Sequence, residues 1–375
     1  MLLVAPVGEG VGGIIAQTNA LVGELGRQEL VDLKVIDSTQ RYRDDHNLRF
    51  FSRAWGGTWQ ALRIGVELLA ALRTFKPETV QIRSSASLGL TRDMALAALA
   101  KLCGTKVYVS FHFGRIPQLA IQRNWEWHLL SWTIQISRRV QVLDRHSASL
   151  LAEKFPHCKI SQFANGIDCG WIDEISDRVR IEKANRSIPR LVFVGMLHPA
   201  KGVVELVEAC SRILDPDFEL EMVGPVGPEM KEQLCGIAAG REEGHWLKFT
   251  GPLSRKEAVA RIAAADVFVI PSFTEGFPGT VLEAMACSVA IVATSVGAIP
   301  EMLLGNEGEV AGIIVTPRDT ESLKLAVETL LMNPTKRSEL GAAARRKCEA
   351  SYQLSDLARR WAVLWSGHES SSKPS

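Results

Sequence analysis

The chain has 375 residues, 46% hydrophobic and 23% charged, with a formal net charge of +1. At roughly 150 residues per domain this length suits two domains with ample apolar material for two cores. The balance excludes a disordered chain, a collagen-like repeat and a strongly basic nucleic-acid binder.

In chain order, the apolar run Leu2–Ala5 predicts a strand, followed by a loop with Gly8, Gly10, Gly12 and Gly13 and a helix through Leu21 and Leu25. Further strands are expected at Leu33–Ile36, Val80–Ile82, Val107–Phe111 and Val140–Leu143, each separated by helical pattern. From Ile175 to Arg190 the chain turns polar and charged, which reads as an interdomain link. A second alternation follows: strands at Leu191–Val194, Glu219–Val223, Leu247–Thr250, Val267–Ile270 and Ala290–Ala293, with helices at Gly202–Leu214, Arg255–Ala264 and Thr280–Cys287. Leu354–Trp365 reads as a last helix and GHESSSKPS as a frayed tail. Short apolar strands alternating with amphipathic helices predict an α/β chain of two Rossmann-like, doubly wound parallel-sheet domains. The expected division is 1–180, 190–350, a C-terminal helix 351–366 that packs back on the N-terminal domain, and a tail 367–375. Charge divides the same way: residues 1–170 carry a net +6 and the remainder −5.

The seven cysteines, at 103, 158, 169, 210, 235, 287 and 348, form no CxxC and no metal-ligand cluster, which suits reduced thiols. The start, MLLVAPVGEG, lacks a basic, apolar leader, and the longest uncharged stretch, Ala284 to Pro300, is too rich in Ser and Thr for a membrane span. The expectation is a cytoplasmic protein.

Two motifs invite a wrong reading. Gly8 to Gly13 satisfies GxGxxG after a strand, and Asp37 follows a second strand, as a nicotinamide or flavin site would need. A lone match in a glycine-rich loop also suits a plain turn, or a loop whose small residues let a phosphate or sugar approach the backbone. Asp215-Pro216-Asp217 forms a DxD, but it joins a helix to a strand, where Asp and Pro are ordinary turn residues.

The informative block is PSFTEGFPGTVLEAMACSVAIVATSVGAIPEM, residues 271–302. Pro278 and Gly279 forbid one helix through Glu275 and Glu283, so a loop follows Glu275 and a new helix begins near Thr280. Backbone N–H groups of Gly279, Thr280 and Val281 then offer an anion site at the helix N-terminus. Two carboxylates beside that positive end suit sugar hydroxyls and a phosphate.

This block resembles the donor-binding signature of the family 4 retaining glycosyltransferases (glycosyl transferases group 1), which have the two-domain GT-B fold. PVGEGVGGIIAQTNAL at the start, FHFGR at 111–115, FANGID at 163–168 and VGMLHPAKG at 194–202 resemble other family segments in the same order. The resemblance implies sugar transfer from a UDP-, GDP- or ADP-sugar to a glycan or lipid-linked acceptor hydroxyl in polysaccharide, glycolipid or glycoconjugate synthesis. It implies that Glu283 holds the donor ribose, that Glu275 contacts the donor sugar, and that Gly276, Phe277, Pro278, Gly279, Thr280 and Val281 line it. Lys201 would neutralise the diphosphate, Gly13 would let the first loop approach it, and His112 would face the sugar and acceptor. It further implies the first domain as acceptor side, and neither metal nor cofactor.

The chain departs from the pattern at Met196, where the family has an arginine beside the diphosphate; a thioether supplies no forked, charged donor. Arg115 and His198 are the candidate substitutes. Ser288 and Val289 stand where Gly-Pro is common, at a turn. Two aromatic and basic stretches, Arg49–Arg63 and Arg123–Arg139, suit either ordinary helix faces or peripheral contact with an anionic inner-membrane surface. Competing readings are a non-catalytic sugar-nucleotide-binding or scaffold protein, a nucleotide-sugar 2-epimerase and an NAD-dependent oxidoreductase.

Overall fold

A computed structural model describes residues 1–8, 12–39, 50–241, 244–304 and 309–366. The chain divides into two compact units, the first made of Met1–Gly166 with the stretch from Leu354 onward, the second of Ile167–Gln353.

In the first unit, β1 (Leu2–Ala5), β2 (Lys34–Asp37), β3 (Thr79–Ser84), β4 (Lys106–Phe111), β5 (Arg139–Val142) and β6 (Lys159–Gln162) form one parallel sheet in the order β2-β1-β3-β4-β5-β6. Parallel strands need crossover connections, and helices supply them. Central strands are covered on both faces: every residue of β1 and β3 is buried, β1 as the apolar run Leu2–Ala5 and β3 with the polar side chains Gln81 and Arg83 among them. The helix Leu354–Ser366 buries Leu354, Leu357, Ala358, Trp361 and Trp365, one face at helical spacing. Leu21 and Leu25 of the helix Gly13–Arg27 and Tyr108 of β4 complete that cluster. Full burial of each large apolar side chain contributes about 1.5–3 kcal/mol.

In the second unit, β7 (Arg190–Val194), β8 (Glu219–Val223), β9 (Leu247–Gly251), β10 (Val267–Ile270), β11 (Ala290–Thr294) and β12 (Ile313–Val315) form a parallel sheet in the order β12-β11-β10-β7-β8-β9. The helix Arg255–Ala264 begins with a capping box between Ser254 and Glu257. In each sheet the chain reverses its direction of strand addition once, between β1 and β3 and between β7 and β10. Loops leaving the carboxyl ends of strands at such a point form the crevice where α/β sheets bind ligands.

Most of the polar segment read as a link, Ile175–Arg190, lies in the helix Cys169–Ala184, with only residues 185–189 forming a connection to β7. That helix is polar because one side is solvated; Ile172 and Ile175 supply the buried side. The strands β6 and β12 were not expected. Lys159–Gln162 is a half-exposed edge strand without an apolar run, and Ile313–Val315 is only three residues long.

Candidate active site

In the second unit the predicted residues gather at the strand-order reversal. After β7 the chain makes a short turn, Pro199–Lys201, whose amide at Ala200 donates to His198 Nδ1 at 3.2 Å. Gly202 follows at φ +67°, and a Cβ there would stand 2.1 Å from the Pro271 carbonyl oxygen. The Phe273 amide donates to the Ala200 carbonyl at 2.9 Å. Only glycine allows this close approach, which holds the loop after β7 against the loop after β10. Across that seam Lys201 Nζ donates to Glu275 Oε1 at 2.7 Å, with side-chain exposures of 35% and 12%.

Beyond Glu275 the loop turns into the helix Gly279–Ala286, which begins at Pro278 without a side-chain cap. The Val281 amide, expected among the anion donors, instead donates to the Pro278 carbonyl at 3.2 Å. The Gly279 and Thr280 amides have no partner among the described residues. Phe277 is buried edge-on against Tyr352, ring centroids 5.5 Å apart, so this segment faces outward through the backbone of Gly276 and Gly279 rather than through the ring.

Glu283 lies one turn into that helix and is buried. Burial pushes its carboxyl above the usual range, and Arg255 opposes the rise. Arg255 Nε donates to Glu283 Oε1 at 2.7 Å, and its guanidinium stands 4.8 Å from the Trp171 ring centroid. Sequence reasoning missed this pairing, because the partners are 28 positions apart on separate helices. It also missed Gly297 (φ +55°), where a Cβ would stand 2.3 Å from the Glu275 carbonyl oxygen. The next amide, Ala298, donates to the Gly276 carbonyl at 2.9 Å, so the Glu275–Gly276 backbone is fixed from the β11 side.

In the first unit Gly13 opens its helix, exposed, with nothing within 4 Å of where a Cβ would stand. Residues 9–11 of the glycine motif lie outside the described residues. Asp37, the acid a dinucleotide site would use on a ribose, accepts from the Val7 and Thr39 amides at 3.3 and 2.8 Å and braces its own loop. His112 follows β4, half-buried, with its amide donating to the Ser84 carbonyl at 3.0 Å and Nε2 lying 3.0 Å from Ser110 Oγ. Burial, then the charge of Arg83, holds its imidazole well below the usual 6.5.

Met196 is 61% exposed. Of its candidate substitutes, Arg115 is engaged by Ser87 and Glu126 at 2.9 and 2.8 Å, and His198 has its Nδ1 committed to the turn described above. Asp217 is exposed and 3.6 Å from Arg241. Among the described residues no cluster of three or more His, Cys, Asp or Glu side chains could hold a metal ion. No helix among them is long and apolar enough to cross a membrane. Arg49 lies outside the described residues, and Trp127 is a core residue of the first unit.

Residues 176–347 match the family model described as glycosyl transferases group 1. The alpha-maltose-1-phosphate synthase of Mycolicibacterium smegmatis is 32% identical over 184 residues, 46% of each chain. The GDP-mannose-dependent alpha-(1-6)-phosphatidylinositol monomannoside mannosyltransferase of the same organism is 30% identical over 241 residues, 61% of this chain and 62% of that one. The chain thus spans less than two thirds of the length of either relative. Among solved structures, sucrose-phosphate synthase from Thermosynechococcus elongatus aligns over 98% of both chains with a TM-score of 0.74 at 16% identity. Anabaena HepE in complex with UDP-glucose aligns over 98% of this chain and 99% of that one, with a TM-score of 0.69 at 15% identity. The fold is the one these structures share.

Proposed function

We propose, from the match of residues 176–347 to the family model of glycosyl transferases group 1, that this chain is a retaining glycosyltransferase. It moves a sugar from a nucleotide-sugar donor to an acceptor hydroxyl in polysaccharide, glycolipid or glycoconjugate synthesis. The observation that carries the reading is the Lys201–Glu275 pair beside the uncapped helix start at Gly279, in the second unit's switch-point crevice.

In this reading the second unit binds the donor. The Lys201 ammonium has three protons to donate, so one can hold Glu275 while others meet the diphosphate. The Gly279 and Thr280 amides add donors where charge builds as the sugar–phosphate bond breaks. Those groups meet the leaving charge without a metal. Glu275 orients the sugar and Glu283 takes the ribose hydroxyls, with Arg255 offsetting part of the cost of burying its carboxylate. Retention follows from attack on the face the diphosphate leaves, its departing oxygen taking the acceptor's proton. The first unit binds the acceptor, with Gly13 and His112 as its candidate residues. Among competing readings, the dinucleotide one is not favoured, because Asp37 Oδ1 braces its own loop by accepting from the Val7 and Thr39 amides.

A thermal-shift screen against UDP-glucose, GDP-mannose and ADP-glucose tests the proposal. One of them should raise Tm in the wild type and lose that effect in Lys201→Ala; no shift with any nucleotide sugar, against a shift with NAD, would overturn it.

A membrane-held acceptor has specific support. Trp59, Leu62 and Val66 are 70%, 65% and 65% exposed and share one helix face by their spacing. Trp125 and Trp132, 51% and 56% exposed, do the same on the helix Trp125–Ile136. Flotation with vesicles containing anionic lipid should carry the protein upward, and absence from the floated fraction would end this reading.

A further inference from the structure

Beneath His112 a chain of polar side chains crosses the interior of the first unit. Ser110 precedes His112 by two positions, so both project to one side of β4. Ser110 stands opposite Gln141 in the β4–β5 register, and Gln81 on β3 reaches both. All three are buried. Gln81 Nε2 donates to Gln141 Oε1 at 3.2 Å and to Ser110 Oγ at 3.3 Å, with the Ile82 carbonyl a longer third neighbour at 3.4 Å. Trp365, on the C-terminal helix, donates its indole N–H to Gln81 Oε1 at 3.2 Å.

The order of donors along this chain follows from chemistry. An indole nitrogen can only donate. It therefore fixes the Gln81 amide with the oxygen toward Trp365 and the nitrogen toward Ser110; the flipped amide would set two donors against each other. Ser110 Oγ accepts from Gln81, and its own proton needs an acceptor. Among the described residues the acceptor within reach is His112 Nε2, at 3.0 Å. A ring nitrogen that accepts carries no proton, so the proton of the neutral imidazole resides on Nδ1. Nδ1 has no protein partner among the described residues. A second ring proton is opposed by the buried Arg83 guanidinium, which donates to the Thr18 hydroxyl at 3.1 Å and stands 5.5 Å from the centroid of Trp361 on the same C-terminal helix.

The geometry points to a tautomer relay in which Trp365, Gln81 and Ser110 are positioning residues that hold His112 neutral with its proton on Nδ1, presenting a hydrogen-bond donor to a sugar or acceptor oxygen. This inference rests on the reading of His112 as a substrate-facing residue, and it deepens that reading. It makes the C-terminal helix, 253 positions away along the chain, a determinant of which proton the site offers.

The test is a long-range proton–nitrogen correlation spectrum of the full chain carrying ring-15N histidine, with His112 assigned by its loss in His112→Gln. The expected result at pH 7.5 is a protonated Nδ1 and an unprotonated Nε2. A protonated Nε2 would overturn the relay. Ser110→Ala should convert His112 to a mixture of tautomers, and an unchanged tautomer there would overturn it equally. Trp365→Phe keeps the ring and removes only the N–H, and should move the mixture in the same direction; if it fails to fold, the wild-type and Ser110→Ala spectra decide alone. Sugar release from UDP-glucose, GDP-mannose and ADP-glucose separates the two ideas. Ser110→Ala should lower kcat about tenfold with little change in donor KM, the scale of one lost hydrogen bond. The expected tautomer together with full turnover in His112→Gln would remove His112 from the proposed reaction while leaving the relay standing.

Discussion

Lys201 Nζ lies 2.7 Å from Glu275 Oε1, joining the loops that leave β7 and β10 where the second sheet reverses its strand order. An ammonium and a carboxylate held there keep a cation and a hydroxyl acceptor in one crevice before any ligand arrives. Lys201→Ala should lower kcat about 10²–10³-fold, the usual loss of a donor aimed at developing charge. Lys201→Arg should recover only part of that loss, since a planar fork does not reproduce a point charge. Initial rates at saturating nucleotide sugar check both; a loss below tenfold in Lys201→Ala counts against a leaving-group role.

Glu283→Ala should weaken nucleotide binding about tenfold, or about 1.4 kcal/mol, the scale of one charge-assisted hydrogen bond. The partly exposed Arg255 can turn to water in the variant, so the fold should survive. Isothermal titration with UDP, GDP and ADP measures the change, and an unaltered Kd would remove Glu283 from the ribose.

His112 links stability to pH. Its folded-state pKa is lowered from 6.5, so below that value the unfolded chain takes up a proton that the folded chain refuses. Its contribution is fully present above pH 6.5 and is lost as pH falls toward the lowered folded value, at up to about 1.4 kcal/mol per pH unit. His112→Gln lacks this titration. Between pH 8 and pH 5 the wild type should therefore lose more Tm than the variant, and parallel curves would contradict the assignment.

Gly297→Ala should destabilise the second unit by about 1–3 kcal/mol, because φ is +55° and the new methyl would meet the Glu275 carbonyl. The same displacement moves Glu275, so donor binding should fall along with the urea midpoint. A midpoint shift with unchanged donor affinity would show that the Glu275 loop tolerates the change.

Ser288→Gly should do the reverse. Ser288 holds φ +57° just after the helix Gly279–Ala286, a conformation that strains a residue bearing a Cβ. Relief of that strain, less the greater unfolded-state entropy of glycine, should stabilise the protein by about 0.5–1 kcal/mol. A raised Tm with unchanged turnover is the expected result.

β1, β8, β10 and the helix Arg255–Ala264 are legible in the sequence to the residue. Strands buried on both faces are short apolar runs, and a Ser-x-x-Glu box announces a helix start. The helix Cys169–Ala184 was lost in its own polarity, because two buried isoleucines in a charged stretch give little periodic signal. Glu275 and Glu283 were legible as a motif, since the loop and helix that carry them follow one strand, β10; Lys201, 74 positions before Glu275, was legible only in its own short segment after β7.

By itself, the sequence determined two α/β cores, the loop-to-helix break at Pro278 and Gly279, and the residue types of the proposed donor site. Each depends on neighbours within a few turns of chain, where periodicity, capping and ring constraint act. Tertiary structure alone decided that Arg255 meets Glu283, that Gly297 must be bare beside the Glu275 carbonyl, and that Trp365 reaches Gln81, 284 positions away. Those pairings follow from strand order and from the packing of the C-terminal helix. Hydrogen bonds and steric contacts act over a few ångströms of space, and position along the chain does not encode which distant residues will come that close.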